Sequence, residues 1–349
     1  MKKSIYIRPL DIKHGYVEMS HGSGGRASAQ LIETIFSAAF DNEFLHQGND
    51  GATLPLMPAG YRMVMSTDAH VVSPLFFPGG DIGCLAVHGT VNDVAMMGAQ
   101  PLWLAASFIL EEGFPLADLQ RIVNSMAQAA RQAGVVIVCG DTKVVERGKG
   151  DGVYISSTGI GYVAEGVAPS GDRARPGDAI LLSGTIGDHG MAIMSHREGL
   201  QFESDIRSDS AALHHLVAAM QATGIDIHVL RDPTRGGLAT TLNEIAHQSG
   251  VGILIDESRI PVNKTVAAAC EFLGLDPLYV ANEGKLVAIC AAADVTQLLA
   301  AMKAHPTGIA AAVIGEVIED ASCFVEMKTS LGGRRMVDWL SGDQLPRIC

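Results

Sequence analysis

Acidic residues recur at the ends of apolar runs in the first half of the chain: Asp50 in GNDGA, Asp68 in VMSTDAH, Asp93 in TVNDVAMMGA and Asp141 in VCGDTK. Any one of them reads equally well as a turn residue or a helix cap. As a set they point to chemistry, because each has Gly, Thr or Asn beside it and small neighbours let a ligand approach the backbone. Carboxylates converging from several elements hold Mg²⁺, a hard cation that favours oxygen and bridges to nucleotide phosphates. SHGSGGR, at residues 20–26, stands before the first helical pattern. Gly24 and Gly25 lie in a stretch of the kind that offers free N–H groups and a positive helix end to a phosphate. The stretch matches neither common nucleotide-binding glycine motif, so a plain loop is the alternative. Lys143, two residues after Asp141, is either a phosphoryl-stabilising cation or a surface lysine. Glu283, in ANEGKLV, is either a general base or a turn residue. The sequence closes on SGDQLPRIC, and Cys349 is expected to present an exposed thiol.

These groups need elements to carry them. Residues 27–40 show an apolar stripe at helical spacing, and PLADLQRIVNSMAQAARQAG is an amphipathic helix begun by Pro115 and stopped by Gly134. YRMVMSTD, PLWLAASFIL, VVIVCGD and GVYISSTGIGYVA read as strands, and DIGCLAVHGTVNDVAMMGA as a helix of small residues. EGVAPSGDRARPGD, residues 165–178, is rich in Gly, Pro and charge and marks a boundary. A second series of strands and helices follows, including RGGLATTLNEIAHQSG as a helix opened by a glycine pair. The expected division is 1–165, 166–330 and a tail, 331–349, that docks briefly and then runs free. The fold class is α/β (α+β) in two domains, without the regular rhythm of a dinucleotide fold.

With 349 residues the chain exceeds what one core usually serves, and a net charge of −13 argues against broad attraction to nucleic acid or anionic membrane. No apolar run approaches a membrane span and no signal peptide is recognisable, so a cytoplasmic location is expected. Six scattered cysteines without a C-x-x-C pair give neither a zinc site nor a disulfide framework. Cys139, Cys290 and Cys323 sit in apolar runs and read as small buried hydrophobes. His214 and His215 read as solvated residues of a surface helix. Thr234 and Arg235, before the glycine pair, mark an anion site or simply a tight turn with a capped helix.

Together HGSGGR, GNDGA, STDAHVV, VNDVAMMGAQP, CGDTKVV, RDPTRGGLATTLNEIA and NEGKLV resemble the aminoimidazole ribonucleotide synthetase (PurM-like) superfamily, in the expected order over essentially the whole chain. The terminal PRIC resembles the HypE-like family of [NiFe]-hydrogenase maturation proteins within it. That resemblance implies a homodimer whose N-terminal sheets pack together, with ATP in a cleft near the interface. It implies a cysteine, here Cys349, that receives a carbamoyl group from a HypF-like carbamoyltransferase. ATP-dependent dehydration then leaves a thiocyanate, and the cyanide passes to iron on a HypC–HypD-like scaffold complex. Asp50, Asp68, Asp93 and Asp141 match the family's metal and phosphate positions, with Gly24, Gly25, Thr67 and Asn92 around the nucleotide. Lys143 and Glu283 match catalytic positions. Another enzyme of the superfamily, of the selenophosphate synthetase or thiamine-phosphate kinase kind, is the alternative, as is a non-enzymatic thiol carrier. The glycine loop lacks the cysteine of the selenium enzyme, and a pure carrier needs no ATP site.

Overall fold

The computed structural model describes residues 9–47, 49–199, 206–340, 342 and 347–349. Short helices α1 (Arg26–Leu31) and α2 (Ala38–Phe40) flank a π-helical stretch, Ile32–Ser37. Then come β1 (Tyr61–His70), a small ribbon of β2 (Phe76–Phe77) and β3 (Gly80–Asp81), α3 (Ile82–Met96), β4 (Gln100–Glu111), α4 (Leu116–Ala133), β5 (Val136–Val145) and β6 (Val153–Ala164). The long strands form a sheet in the order β1-β6-β4-β5, parallel only between β4 and β5. Those two strands are the ones joined by a helix, as a parallel pair requires.

One face of this sheet is covered. α4 turns Leu119, Ile122, Val123 and Met126 inward at helical spacing, and Gly134 ends it in the left-handed region. α3 is buried nearly all round, and its residues Gly83, Ala86, Gly89 and Thr90 are correspondingly small. The helix packs on β1 and β6 on one side and on the helix His214–Gln221 of the following domain on another, so it has no broad solvent-facing polar stripe. The opposite face of the sheet is open, with Met63 53%, Met65 69% and Ile109 43% exposed.

The second series is β7 (Asp178–Leu182), α5 (Asp188–Arg197), α6 (His214–Gln221), β8 (Ile227–Arg231), α7 (Gly237–Ser249), β9 (Gly252–Asp256), α8 (Lys264–Leu273), β10 (Val287–Ala291), α9 (Val295–Ala304), β11 (Ala312–Ile318), β12 (Val325–Lys328) and β13 (Arg334–Met336). Its seven strands lie in the order β13-β12-β9-β11-β7-β10-β8, with only β12–β9 parallel. β8 and α8 are absent from the sequence reading. β8 is five residues long and interrupted by His228 and Arg231, while α8 follows the Pro-containing loop after β9.

β13 pairs with β12, so the segment after residue 330 begins as a short docked strand of the second sheet. Two readings are corrected. Cys323 lies before β12 in the left-handed region (φ 57°) and is half-buried, not a core residue; Cys139 is also half-buried. His214 is buried against α3 with its ring centroid 3.9 Å from that of His215 and tilted to it by 40°; of the two, only His215 is exposed. Burial, with the neighbouring His215, lowers His214 to about 4.

Candidate active site

Where the two domains meet, a cavity of 210 Å³ is lined by Thr67, Asp68, Ala69, Gly89, Asp93, Asp232, Thr234, Arg235, Glu283 and Cys349. Four of the residues singled out by sequence as catalytic or metal-binding meet here, with Thr67 beside them. Asp68 leaves β1 on the α3 side, above His70, whose Nε2 lies 3.7 Å from Asp68 Oδ2. His70 is itself buried and held through Ser157, which also donates to the Ala86 carbonyl. Asp93, one helical turn beyond Gly89 on α3, accepts from Ser66 Oγ at 2.8 Å. Loss of hydration, aided by the Asp68 charge, pushes Asp93 up to about 6. Thr67 points to the open face, where Thr158 donates to it at 3.0 Å.

Glu283 is 4% exposed and its backbone is held from two sides. Its N–H donates to Asp209 Oδ1 at 3.1 Å, and its carbonyl accepts from Asn92 Nδ2 at 3.2 Å. Asp209 in turn pairs with Lys285 at 2.9 Å. Asn92 also donates to the Ala211 carbonyl and accepts from Leu213 N–H. The amide that sequence placed around a nucleotide is thus committed to backbone groups of the second domain. Gly284 is needed for this packing, since a Cβ there would lie 1.8 Å from the Asp209 carbonyl oxygen. Burial, then the charges of Asp209, Asp232 and Asp68, raise Glu283 well above the usual carboxylate range.

Asp232 is the residue that sequence reasoning passed over inside RDPTRGG. Asn282 donates to the Pro233 carbonyl at 2.8 Å and so ties its loop to the segment that carries Glu283. Loss of hydration and the Asp93 charge push Asp232 up to about 7. Gly236 and Gly237 follow at φ 77° and 61°, and a Cβ on Gly237 would meet the Leu278 carbonyl at 2.5 Å, so the pair lets the loop turn tightly into α7. Thr234 and Arg235 therefore face the cavity as well as starting a helix.

The expected exposed thiol is instead docked. Ile348 is 4% exposed in the core of the first domain, beside Ile193 and Ala281 of the second. Its carbonyl accepts from His189 Nε2 at 2.8 Å, and the Arg347 carbonyl accepts from Arg197 Nη2 at 3.0 Å and from Ser73 N–H at 3.1 Å. The Arg347 side chain pairs with Asp151 at 3.2 Å. The Cys349 side chain lines the same cavity as Glu283, and burial followed by the Glu283 charge raises the thiol well above its ordinary value.

The other candidates lie elsewhere. Register links Asp68 to Ser157, Ser157 to Ala106 and Ala106 to Gly140, so Asp141 stands one residue off the Asp68 row. Three strand spacings, about 14 Å, separate the two strands that carry them. Asp141 and Lys143 are exposed on β5, and Asp141 borders a separate cavity of 110 Å³ that includes Phe36, Phe108 and Cys139. Gly24 and Gly25 belong to the same edge. The Gly24 N–H donates to Ser28 Oγ, Gly25 precedes α1, and Gly22 packs on Val144 of β5. Asp50 is exposed in the loop before β1. Among the described residues no group of three or more His, Cys, Asp or Glu is arranged to hold a metal. Also among them, no helix is long and apolar enough to cross a membrane.

Two family profiles match the chain: "AIR synthase related protein, N-terminal domain" over residues 48–163 and "AIR synthase related protein, C-terminal domain" over residues 175–328. A curated relative, carbamoyl dehydratase HypE of Cupriavidus necator, is 71% identical over 344 residues, 99% of this chain and 98% of its own length. A solved structure of hydrogenase maturation protein HypE in complex with ATP superposes with a TM-score of 0.91 at 53% identity, covering 95% of this chain and 99% of that one. A HypE chain from a HypE–HypF complex superposes with a TM-score of 0.78 at 52% identity, covering 89% and 99%.

Proposed function

Because this chain belongs to the carbamoyl dehydratase HypE family of AIR synthase related proteins, we propose that it uses ATP to dehydrate an S-carbamoyl group on Cys349 to a thiocyanate. The observation that carries the reading is that Cys349 and the buried Glu283 line one cavity with Asp68 and Asp93. A relative with the same architecture is described in complex with ATP, which supports a nucleotide here.

The chemistry follows from the groups present. Hydroxide is a poor leaving group, so the carbamoyl oxygen must become a phosphate before it departs. The oxygen attacks the γ-phosphoryl group, ADP leaves, and the C–O bond then breaks to release phosphate. The nitrogen gives up both protons and Cys349 is left as S–C≡N. Glu283 lies beside the sulfur and is the candidate acceptor for a nitrogen proton; its raised pKa makes it a stronger base than an exposed carboxylate. Arg235 lines the cavity and offers charge to the transferring phosphoryl group. Asp68 and Asp93 suit Mg²⁺, which binds through one or two carboxylates plus nucleotide phosphates and would neutralise phosphoryl charge there. The docked thiol is held protonated by burial, so loading belongs to the undocked tail.

Asp50, Asp141, Lys143 and the Gly24–Gly25 loop serve the same nucleotide only if the open sheet face is closed. We assign that closure to a second copy packing on Met63, Met65 and Ile109, in line with the homodimer that the family resemblance implies. A HypE–HypF complex among the relatives supports a HypF-like carbamoyl donor. A HypC–HypD-like complex would accept the cyanide, in the cytoplasm. Incubating the S-carbamoylated protein with Mg-ATP should remove the mass of one water from the Cys349 peptide and release ADP and phosphate. ATP hydrolysis with an unchanged peptide mass would sink the reading.

A further inference from the structure

The docked end of the chain is read chiefly through its backbone. His189 lies in the first turn of α5 and Arg197 ends it, and they donate to the successive carbonyls of Ile348 and Arg347. A pair of donors on one rigid helix, spaced to meet consecutive peptide carbonyls, fixes both the direction and the register of a chain laid against it. Both donors are themselves braced. The His189 ring stands edge-on to Phe77 at 5.6 Å, and its Nδ1 lies 2.8 Å from Ser208 Oγ. A bond from Nε2 to a carbonyl requires the proton on Nε2, which leaves Nδ1 to accept from Ser208. Arg197 also donates from Nε and Nη2 to the Ser73 carbonyl, at 2.9 and 2.6 Å, and Ser73 N–H returns to the Arg347 carbonyl. The guanidinium therefore sits between the tail and the loop preceding β2.

Side chains add the rest. Ile348 fills an apolar site between the domains and Arg347 meets Asp151. A slip of one residue would turn the Ile348 side chain out of the core and withdraw the sulfur from Glu283. We propose that His189 and Arg197 are positioning residues that set the register of the tail, so that the group on Cys349 stops beside Glu283. This rests on the reading that Cys349 carries the reacting group, but its test does not depend on turnover.

The test is the rate of alkylation of Cys349 by iodoacetamide in the full-length protein, without ATP or carbamoyl donor, followed by peptide mass. Cys270 and Cys290, 1% and 0% exposed, report on the fold in the same samples. His189→Leu and Arg197→Met should each speed alkylation at Cys349 about tenfold, the size expected for one lost hydrogen bond to a buried carbonyl. His189→Gln, which keeps a donor, should recover much of the protection. Turnover of the carbamoylated variants should then lose kcat with the KM for ATP unchanged. An unaltered Cys349 rate in both variants overturns the proposal. So does a rise at Cys270 and Cys290 in step with Cys349, which would make the two residues merely structural. If dehydration is absent in the parent protein while the alkylation pattern holds, the dehydratase reading fails and the register-setting role stands.

Discussion

The cavity at the domain junction and the β5 edge carry similar residue types, aspartates with a long cation nearby, in opposite surroundings. At the junction the second domain lies over β1 and α3, so Asp93, Asp232, Glu283 and Cys349 have lost water and titrate far from their usual ranges. At the β5 edge Asp141 and Lys143 stay exposed, and a glycine loop is their near neighbour. On the proposed function, one set would serve proton and phosphoryl chemistry, and the other would hold a charged ligand that arrives with its own hydration. The same aspartate is a different reagent according to whether a second layer of protein covers it.

The comparison can be broken at several strengths. Glu283→Gln should lower the rate of thiocyanate formation on the order of a thousandfold, while calorimetry finds ATP affinity nearly unchanged; near-normal turnover would remove the junction from the chemistry. Lys143→Ala should weaken ATP binding about tenfold with less effect on the chemical step, which single-turnover mass analysis would resolve. Met65→Asp on the open face should produce monomers by sedimentation and the same loss of ATP binding, if a second copy joins the two regions. A monomer with full affinity would leave the β5 edge without a role.

The smallest expected effect concerns what keeps the junction dry. His214, on α6 against α3, is held neutral by burial, with a pKa of about 4 against an ordinary 6.5. The unfolded chain therefore binds more protons than the folded one between those values, and stability falls as pH drops from 6.5 toward 4. His214→Leu should recover about 1–2 kcal/mol of unfolding free energy at pH 5 and nothing at pH 8. His88, also lowered to about 4, keeps part of the acid sensitivity. An unchanged pH profile would show that His214 does not report on this interface.

Much of the fold was legible because it is local. The stripe of α4 between Pro115 and Gly134, the small residues of α3 and the apolar strands announce themselves within a dozen residues. Asp68, Asp93, Glu283 and Cys349 were found as motifs. What made them one site was not legible, since it depends on contacts between distant parts of the chain. Asn92 reaches the Glu283 carbonyl across 191 residues, and His189 reaches Ile348 across 159. Asp232 was hidden in a loop whose glycines already had a local explanation. His214 looked solvated because a helix of eight residues with two histidines gives no sign of the helix that packs over it.

The seat of Ile348 has a consequence for which molecules can react. With that side chain in the core and the sulfur at Glu283, the chain's own end occupies the place where a diffusible S-carbamoyl thiol would have to sit. A tethered group competes at an effective concentration of the order of millimolar, which a free S-carbamoyl thiol would have to exceed to gain entry. If Cys349 carries the reacting group, selectivity would be a matter of prior occupancy, and shortening the chain by its last residues would open the cavity to competitors.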